Sequence, residues 1–213
     1  MSEEFTEEQT VLETEDTFEM VQPSGAKSFI CMYDNALEDD MCDKLVELFD
    51  KSEEYHKVTE TEGFRKFTEL NIFNSELLEK EPEFNRLGFR MLEKVQEYTE
   101  SYRRFWNIEH FPTQASNEEI RMKKYTANAE TEEHFGYHSD VGDYASAKRF
   151  LVVMFYLNDV EEGGQTIFPE YQLAAKPTKG SLMVFPPFWT HPHLAEAPKS
   201  NDKYIISTYL HYL

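Results

Sequence analysis

Arg149-Phe-Leu-Val-Val-Met-Phe-Tyr-Leu-Asn-Asp-Val-Glu-Glu-Gly-Gly-Gln-Thr-Ile-Phe-Pro169 is the stretch on which the reading of this chain turns. The apolar run from Arg149 to Leu157 is short and ends in Asn, Asp and paired glycines, as expected of a buried strand that stops at a turn. The same texture extends to both sides. Short alternating or wholly apolar runs bounded by Gly, Pro and Asn mark candidate strands at Ile120 to Tyr125, His134 to Asp140, Gln165 to Phe168, Ser181 to Phe185, His191 to Leu194 and Tyr204 to Tyr212, with a first strand at Ser28 to Tyr33. Such a series suits a double-stranded β-helix, a cupin-like jelly roll. The expected fold class is mainly β with flanking α-helices.

Two helices precede this series. From Leu37 to Lys51 the apolar residues Met41, Leu45, Leu48 and Phe49 recur at helical spacing, so one face should pack on a sheet. A longer stripe of Phe84, Leu87, Met91, Val95, Tyr98, Tyr102 and Phe105 starts just after Pro82, a residue suited to an early helix position. Between them, Thr59 to Asn74 shows no clear pattern and is a candidate lining for the mouth of a site. Residues 1–25 carry eight acidic side chains and few apolar ones, which predicts a disordered tail. Residues 26–213 are then one domain, with helical support over 36–106 and a jelly-roll core over about 117–213.

A chain of 213 residues is long enough for one well-buried core and short for two. Its formal charge of −20 argues against nucleic acid or an anionic membrane as the main partner, since both would be repelled. No apolar run approaches the roughly 18 residues of a membrane span, and the N-terminus lacks a basic start followed by an apolar stretch, so a cytoplasmic protein is expected. Cys31 and Cys42 are too few for a disulfide framework and are read as free thiols.

The chemistry concentrates in the last half of the chain. A strand alternates its side chains, so His138 and Asp140, two apart, point to one face and can bind one ion together. A further imidazole comes from His191 or His193, which also lie two apart. Two imidazoles, one carboxylate and open coordination positions suit Fe(II) oxygen chemistry, because the metal must still accept a cosubstrate and O2. An H-x-D alone arises by chance in roughly one chain in three of this composition. The weight therefore rests on the ordered set: His138-Ser-Asp140, Gly163-Gly164-Gln-Thr166-Ile-Phe168-Pro169, His193 and Lys203.

From Ile120 onward this set resembles the prolyl 4-hydroxylase group of 2-oxoglutarate/Fe(II)-dependent oxygenases, and the match is tightest over Arg149 to Pro169. The resemblance implies a facial triad of His138, Asp140 and His193 as catalytic metal ligands. The choice of His193 over His191 follows from the family's lysine ten residues after the metal histidine, where Lys203 stands. It also implies that Lys203 holds the far carboxylate of 2-oxoglutarate, that Thr166 and Tyr125 add hydrogen bonds to the same cosubstrate, and that Arg149 helps fix the primary substrate. The implied reaction consumes 2-oxoglutarate and O2, releases succinate and CO2, and hydroxylates an unactivated C–H bond, with ascorbate in support. The implied substrate is proline in a peptide or protein. The chain departs from the group's pattern at Phe135, where a tyrosine is common, in the short span from Asp140 to Arg149, and at Leu194-Ala195 in place of Ala-Gly. A free amino acid or other small metabolite stays open as substrate, and so does a non-catalytic metal-binding jelly roll.

Overall fold

The two longest strands, β7 (Arg149–Tyr156) and β12 (Lys203–Tyr212), pair antiparallel and define the two faces of the main sheet. In the computed structural model, which describes residues 27–127 and 133–213, Leu151, Val153 and Phe155 of β7 join Ile206 and Leu210 of β12 in one core cluster. Val152, Met154 and Tyr156 join Ile205 in another cluster on the opposite face. β7 is thus apolar on both sides, which is why its sequence runs apolar without alternation. The acidic stretch 1–25, expected to be a tail, lies outside the described residues.

The main sheet grows outward from this pair, and every pairing is antiparallel. β10 (Leu182–Phe185) lies beside β7, with β1 (Cys31–Tyr33) beyond it. On the other side, β5 (Arg121–Tyr125) pairs β12 from Lys203↔Tyr125 to Ser207↔Arg121, and β4 (Ala115–Asn117) pairs the far end of β12. Next to β5 runs β3 (Arg65–Asn71), which forms a hairpin with β2 (Lys57–Thr61). A smaller sheet of β6 (Phe135–His138), β11 (His193–Ala195), β8 (Thr166–Phe168) and β9 (Leu173–Ala175) joins β3 through the pair Arg65↔Phe135. Phe168 and Ala175 of the small sheet pack with Phe67, Tyr125, Met183 and Phe185 of the large one. The sheet has curled over on itself into the expected jelly roll.

The outer face of the main sheet is covered by α1 (Asp39–Lys51), α2 (Ser75–Lys80) and α3 (Glu83–Phe105). Met41, Leu45, Leu48 and Phe49 of α1 are buried as their spacing predicts, and so are Phe84, Leu87, Met91, Val95 and Tyr102 of α3. Phe105 is not. It is 69% exposed at the last residue of the 23-residue α3, where its ring meets Trp106 edge-on. A second correction concerns 57–71, placed by the sequence reading inside helical support. It is a β-hairpin, and its alternation is hidden because one face carries Lys57, Thr59, Arg65 and Glu69 toward a cleft rather than apolar groups toward a core. Among the described residues, no helix is long and apolar enough to cross a membrane.

Two local devices aim the site. Between Leu210↔Leu151 and His211↔Arg149 the β7–β12 register slips by one residue. Bulges of this kind re-aim a side chain, and this one turns Arg149 from the helix side to the cleft. The paired glycines after β7 have φ of +74° and +70°, and a Cβ on Gly163 would lie 2.4 Å from the Ala197 carbonyl oxygen. Gly164 N–H donates to that same carbonyl at 3.0 Å, which seats the turn against the segment after β11. Gly163→Ala should therefore destabilise the fold by about 1–3 kcal/mol, read as a lower denaturant midpoint. Gly142→Ala, with open space where its Cβ would go, should leave the midpoint unchanged.

Candidate metal and cosubstrate site

His138 ends β6, and His193 begins β11 directly opposite it as its register partner. Asp140 lies beyond the end of β6, not on the strand as the sequence reading had it, but the chain still returns its carboxylate to the two imidazoles. His138 Nε2 is 3.7 Å from Asp140 Oδ1, and His193 Nε2 is 3.7 Å from Asp140 Oδ2. One potential ligand atom from each residue falls within 4.8 Å of the others, the one such group of three among the described residues.

The tautomers suit a cation. His138 Nδ1 lies 2.6 Å from the Gly136 carbonyl oxygen and His193 Nδ1 lies 3.1 Å from that of His191, so each ring can donate backward to the main chain and present a bare Nε2 forward. Burial pushes the His193 imidazolium down, and the nearby His138 adds to the shift, so the neutral, ligating form is favoured. Burial pushes Asp140 up, but hydrogen bonds from His138 and Tyr209, with the charge of the two imidazoles whenever they are protonated, outweigh it and hold the carboxyl well below the usual carboxylate range. Its Oδ1 accepts from Tyr209 Oη at 2.6 Å, while Oδ2 is buried with no donor. An unpaired buried carboxylate oxygen is costly, and a metal ion held by His138, Asp140 and His193 would remove that cost.

His191 stands outside this group. Its Nε2 lies 2.7 Å from the Ser28 carbonyl oxygen, and its Nδ1 lies 2.8 Å from Thr190 Oγ1. It fastens the N-terminal segment to the loop before β11.

Behind the three residues lies an inner cavity that also includes Tyr125, Thr166 and Lys203. Lys203 is 1% exposed, and its ammonium donates to the Gly164 carbonyl oxygen at 2.6 Å between the rings of Tyr125 and Tyr156. Burial pushes its pKa down to about 7, with Glu196 opposing the shift. Tyr156 Oη donates to Thr166 Oγ1 at 2.8 Å, which leaves the threonine proton free for a second acceptor. Phe135 stacks on His138 at 3.7 Å, and Phe168 and Phe185 flank His193, so the imidazoles sit in an apolar sleeve.

In front, a cleft of about 510 Å3 reaches His138 and Asp140 from solvent. Arg149 lines it, as expected of a substrate-facing residue, but its guanidinium is largely committed. It forms a fork on Glu118 with both bonds at 2.8 Å, donates to the Asp140 carbonyl oxygen at 2.9 Å, and lies 3.9 Å over the Tyr209 ring. Arg149 therefore acts on Asp140 from both its backbone and, through Tyr209, its side chain. The sequence reading missed Tyr209, although the period-two spacing of Lys203, Ser207 and Tyr209 on one strand carries the signal. For Glu118, 31 residues before Arg149, the sequence offers no such signal.

Residues 121–211 match the family model of the 2OG-Fe(II) oxygenase superfamily. The matched stretch, less than half of the chain, carries His138, Asp140, His193 and Lys203. The chain is 23% identical over 203 residues to a probable prolyl 4-hydroxylase 4 of Arabidopsis thaliana, an alignment that covers 84% of this chain and 63% of that protein. Among solved structures, it resembles the 2-oxoglutarate complex of a viral collagen prolyl hydroxylase from Paramecium bursaria Chlorella virus-1, with a TM-score of 0.60, 20% identity, and coverage of 87% of this chain and 97% of the other. It also resembles a Trichoplax adhaerens prolyl hydroxylase solved with a hypoxia inducible factor peptide fragment, with a TM-score of 0.64, 13% identity, and coverage of 87% and 84%. Fe(II) and 2-oxoglutarate fit this domain and its His-Asp-His group.

If the ligand set is His138, Asp140 and His193, then His193→Ala should abolish tight Co(II) binding, followed by the visible absorbance of the bound ion, while His191→Ala keeps it. Tyr209→Phe, which removes the hydrogen bond that orients Asp140, should weaken binding by about 10–100-fold.

Proposed function

We propose that this protein is an Fe(II)- and 2-oxoglutarate-dependent dioxygenase that hydroxylates proline in a peptide or protein. The observation that carries the proposal is one cavity holding His138, Asp140 and His193 at its mouth and a buried Lys203 at its inner end. The proline assignment draws on the likeness to the Arabidopsis and viral prolyl hydroxylases and to the Trichoplax enzyme solved with a peptide. The cleft in front of His138 and Asp140 supplies room for a chain segment.

In this proposal His138, Asp140 and His193 hold Fe(II), and bound there with 2-oxoglutarate it supplies the activation of O2 that hydroxylates a C–H bond as succinate and CO2 are released. Lys203 pairs with the far carboxylate of the cosubstrate and gives up the Gly164 carbonyl to do so. The Thr166 hydroxyl, its oxygen already accepting from Tyr156, turns its proton to the same carboxylate, and the Tyr125 phenol closes the pocket on the other side. Arg149 and Tyr209 fix the Asp140 carboxylate from outside, so the ligand set is held before the metal arrives. Phe135, Phe168 and Phe185 keep water from the imidazoles.

The test is succinate formation from 2-oxoglutarate with Fe(II) and ascorbate under air, with and without proline-rich peptides. Wild type should form succinate, with coupled hydroxylation of a peptide. His138→Ala and His193→Ala should lose turnover, and Lys203→Ala should lose it with partial recovery in excess 2-oxoglutarate. A metallated wild type that forms no succinate with peptides or amino acids overturns the proposal in favour of a binding module.

The lysine adds a pH signature. Alone, the buried Lys203 titrates at about 7, and an anionic carboxylate beside it raises that value. Below about pH 7 the lysine is already charged and affinity for 2-oxoglutarate is full. Above it, binding takes up a proton, and affinity falls by up to about tenfold per pH unit until the loaded lysine itself titrates. Calorimetry at pH 6.5 to 8.5, in buffers of different ionisation enthalpy, should show both the decline and the proton uptake. Affinity independent of pH across this range would contradict the charge assigned to Lys203.

A further inference from the structure

The hairpin β2–β3 and strand β5 build one wall of the outer cleft from the inward-facing positions of each strand, and that wall is charged. Lys57, Glu69 and Lys123 are register partners across the three strands, a row of cation, anion and cation. Glu69 is already served: it accepts from Thr59 Oγ1 at 2.8 Å, and Lys57 and Arg121 stand 4.0 and 3.9 Å away. On the opposite wall Glu118 is committed to Arg149. Asp143 caps its own turn through Ser146, and Asp140 belongs to the metal group.

Two cations in the cleft are left without an acid. Among the described residues no carboxylate oxygen lies within 4.0 Å of Lys123 or Arg65, whereas Arg121 has Glu119 at 2.8 Å. Lys123 lies between the outer cleft and the inner cavity, close enough to Asp140 and Glu69 to feel both charges, with its ammonium 5.1 Å from the Phe67 ring centroid. The Arg65 guanidinium stands 5.6 Å over Phe135, the ring that stacks on His138. Both therefore flank the metal group on the side a substrate must enter. A half-buried cation loses solvation that only an anion recovers in full, and once Asp140 is neutralised by a metal, the cleft holds more unpaired positive than negative charge.

We infer that the substrate carries a carboxylate beside its target proline, and that Lys123 and Arg65 bind it. This rests on the proline-hydroxylase reading. The carboxylate is either the side chain of an acidic neighbour or the α-carboxylate of a C-terminal proline. Either would give a specificity opposite to that implied by the net charge of −20, set by two local cations within contact range.

The experiment measures binding and turnover with one peptide series. Fluorescent proline peptides carry Glu or Gln at each position from three before to three after the proline, and a second set ends in proline as free acid or amide. Anisotropy is read on the full chain with Mn(II) and saturating 2-oxoglutarate under nitrogen. Hydroxylation is then read with Fe(II) in air by the mass increase. We expect one member of a Glu/Gln or acid/amide pair to bind about tenfold tighter as the anion. That ratio should fall toward one in Lys123→Gln and Arg65→Gln, while binding of the neutral peptide stays the same. A Glu preference assigns the side-chain source, and an acid preference assigns the α-carboxylate. Equal binding within every pair overturns the inference, and so does a preference that survives the double variant. A charge preference with succinate formed but no proline hydroxylated supports the carboxylate site and overturns the proline reading instead.

Discussion

A carboxylate oxygen sunk among aromatic rings with no hydrogen to accept is the constraint around which this molecule is arranged. Asp140 has one oxygen held by Tyr209 and the other unpaired, and the two imidazoles beside it turn their own hydrogens away toward main-chain carbonyls. Three electron-pair donors converge where no proton is supplied. Left so, the site spends folding free energy; a cation returns it. His138 and His193 are also register partners in the small sheet, so the donors and the strand pairing rest on the same two residues. The outer partners complete the arrangement. Glu118 holds Arg149, and Arg149 holds both the backbone of Asp140 and the ring of Tyr209, so the carboxylate is gripped through a chain that starts near β4.

The parts of the fold legible in the sequence were those where burial writes a period. β7 is covered on both faces and reads as an unbroken apolar run, and α1 and α3 are covered on one and read as stripes. The hairpin of β2 and β3 escaped because its inward face meets an open cleft, so charged residues occupy positions that in a core would be apolar. His138 and Asp140 stand out in the sequence because they are two apart, whereas His193, on a distant strand, and Lys203 were read from the ordered set of motifs and the family resemblance; the fold brings the first three together. What supports them is not local. Glu118 reaches Arg149 across 31 residues, and Tyr156 reaches Thr166 across a turn; only the fold brings them together. Arg149 shows the limit most directly. As the first residue of an apolar strand it stood out, but its commitment to Glu118 and Asp140 depends on a register slip with β12 that no residue type announces.

Charge in this protein is distributed by function. Among the described residues, many of the acids lie on helix surfaces, paired at helical spacing with Lys and Arg, as at Lys44 with Glu47 and Arg103 with Glu100. Such exposed pairs contribute little stability each. The cations that count are few and sheltered: Lys203 at the inner end of the cavity, and Lys123 and Arg65 at its entrance. Net charge describes the first population and is silent on the second.

The two sheets of the jelly roll meet, among the described residues, in a narrow seam at the mouth. Arg65 pairs with Phe135, Lys66 N–H donates to the His134 carbonyl at 2.9 Å, and Gly136 N–H donates to that of Phe64 at 2.6 Å. Within the main sheet, by contrast, β12, β7 and β10 are bound along most of their lengths. Cooperative opening follows the line of fewest backbone bonds and least buried apolar contact. The seam is therefore only a few backbone bonds wide, and it runs beside the site: Phe135, which pairs with Arg65, is the ring that stacks on His138.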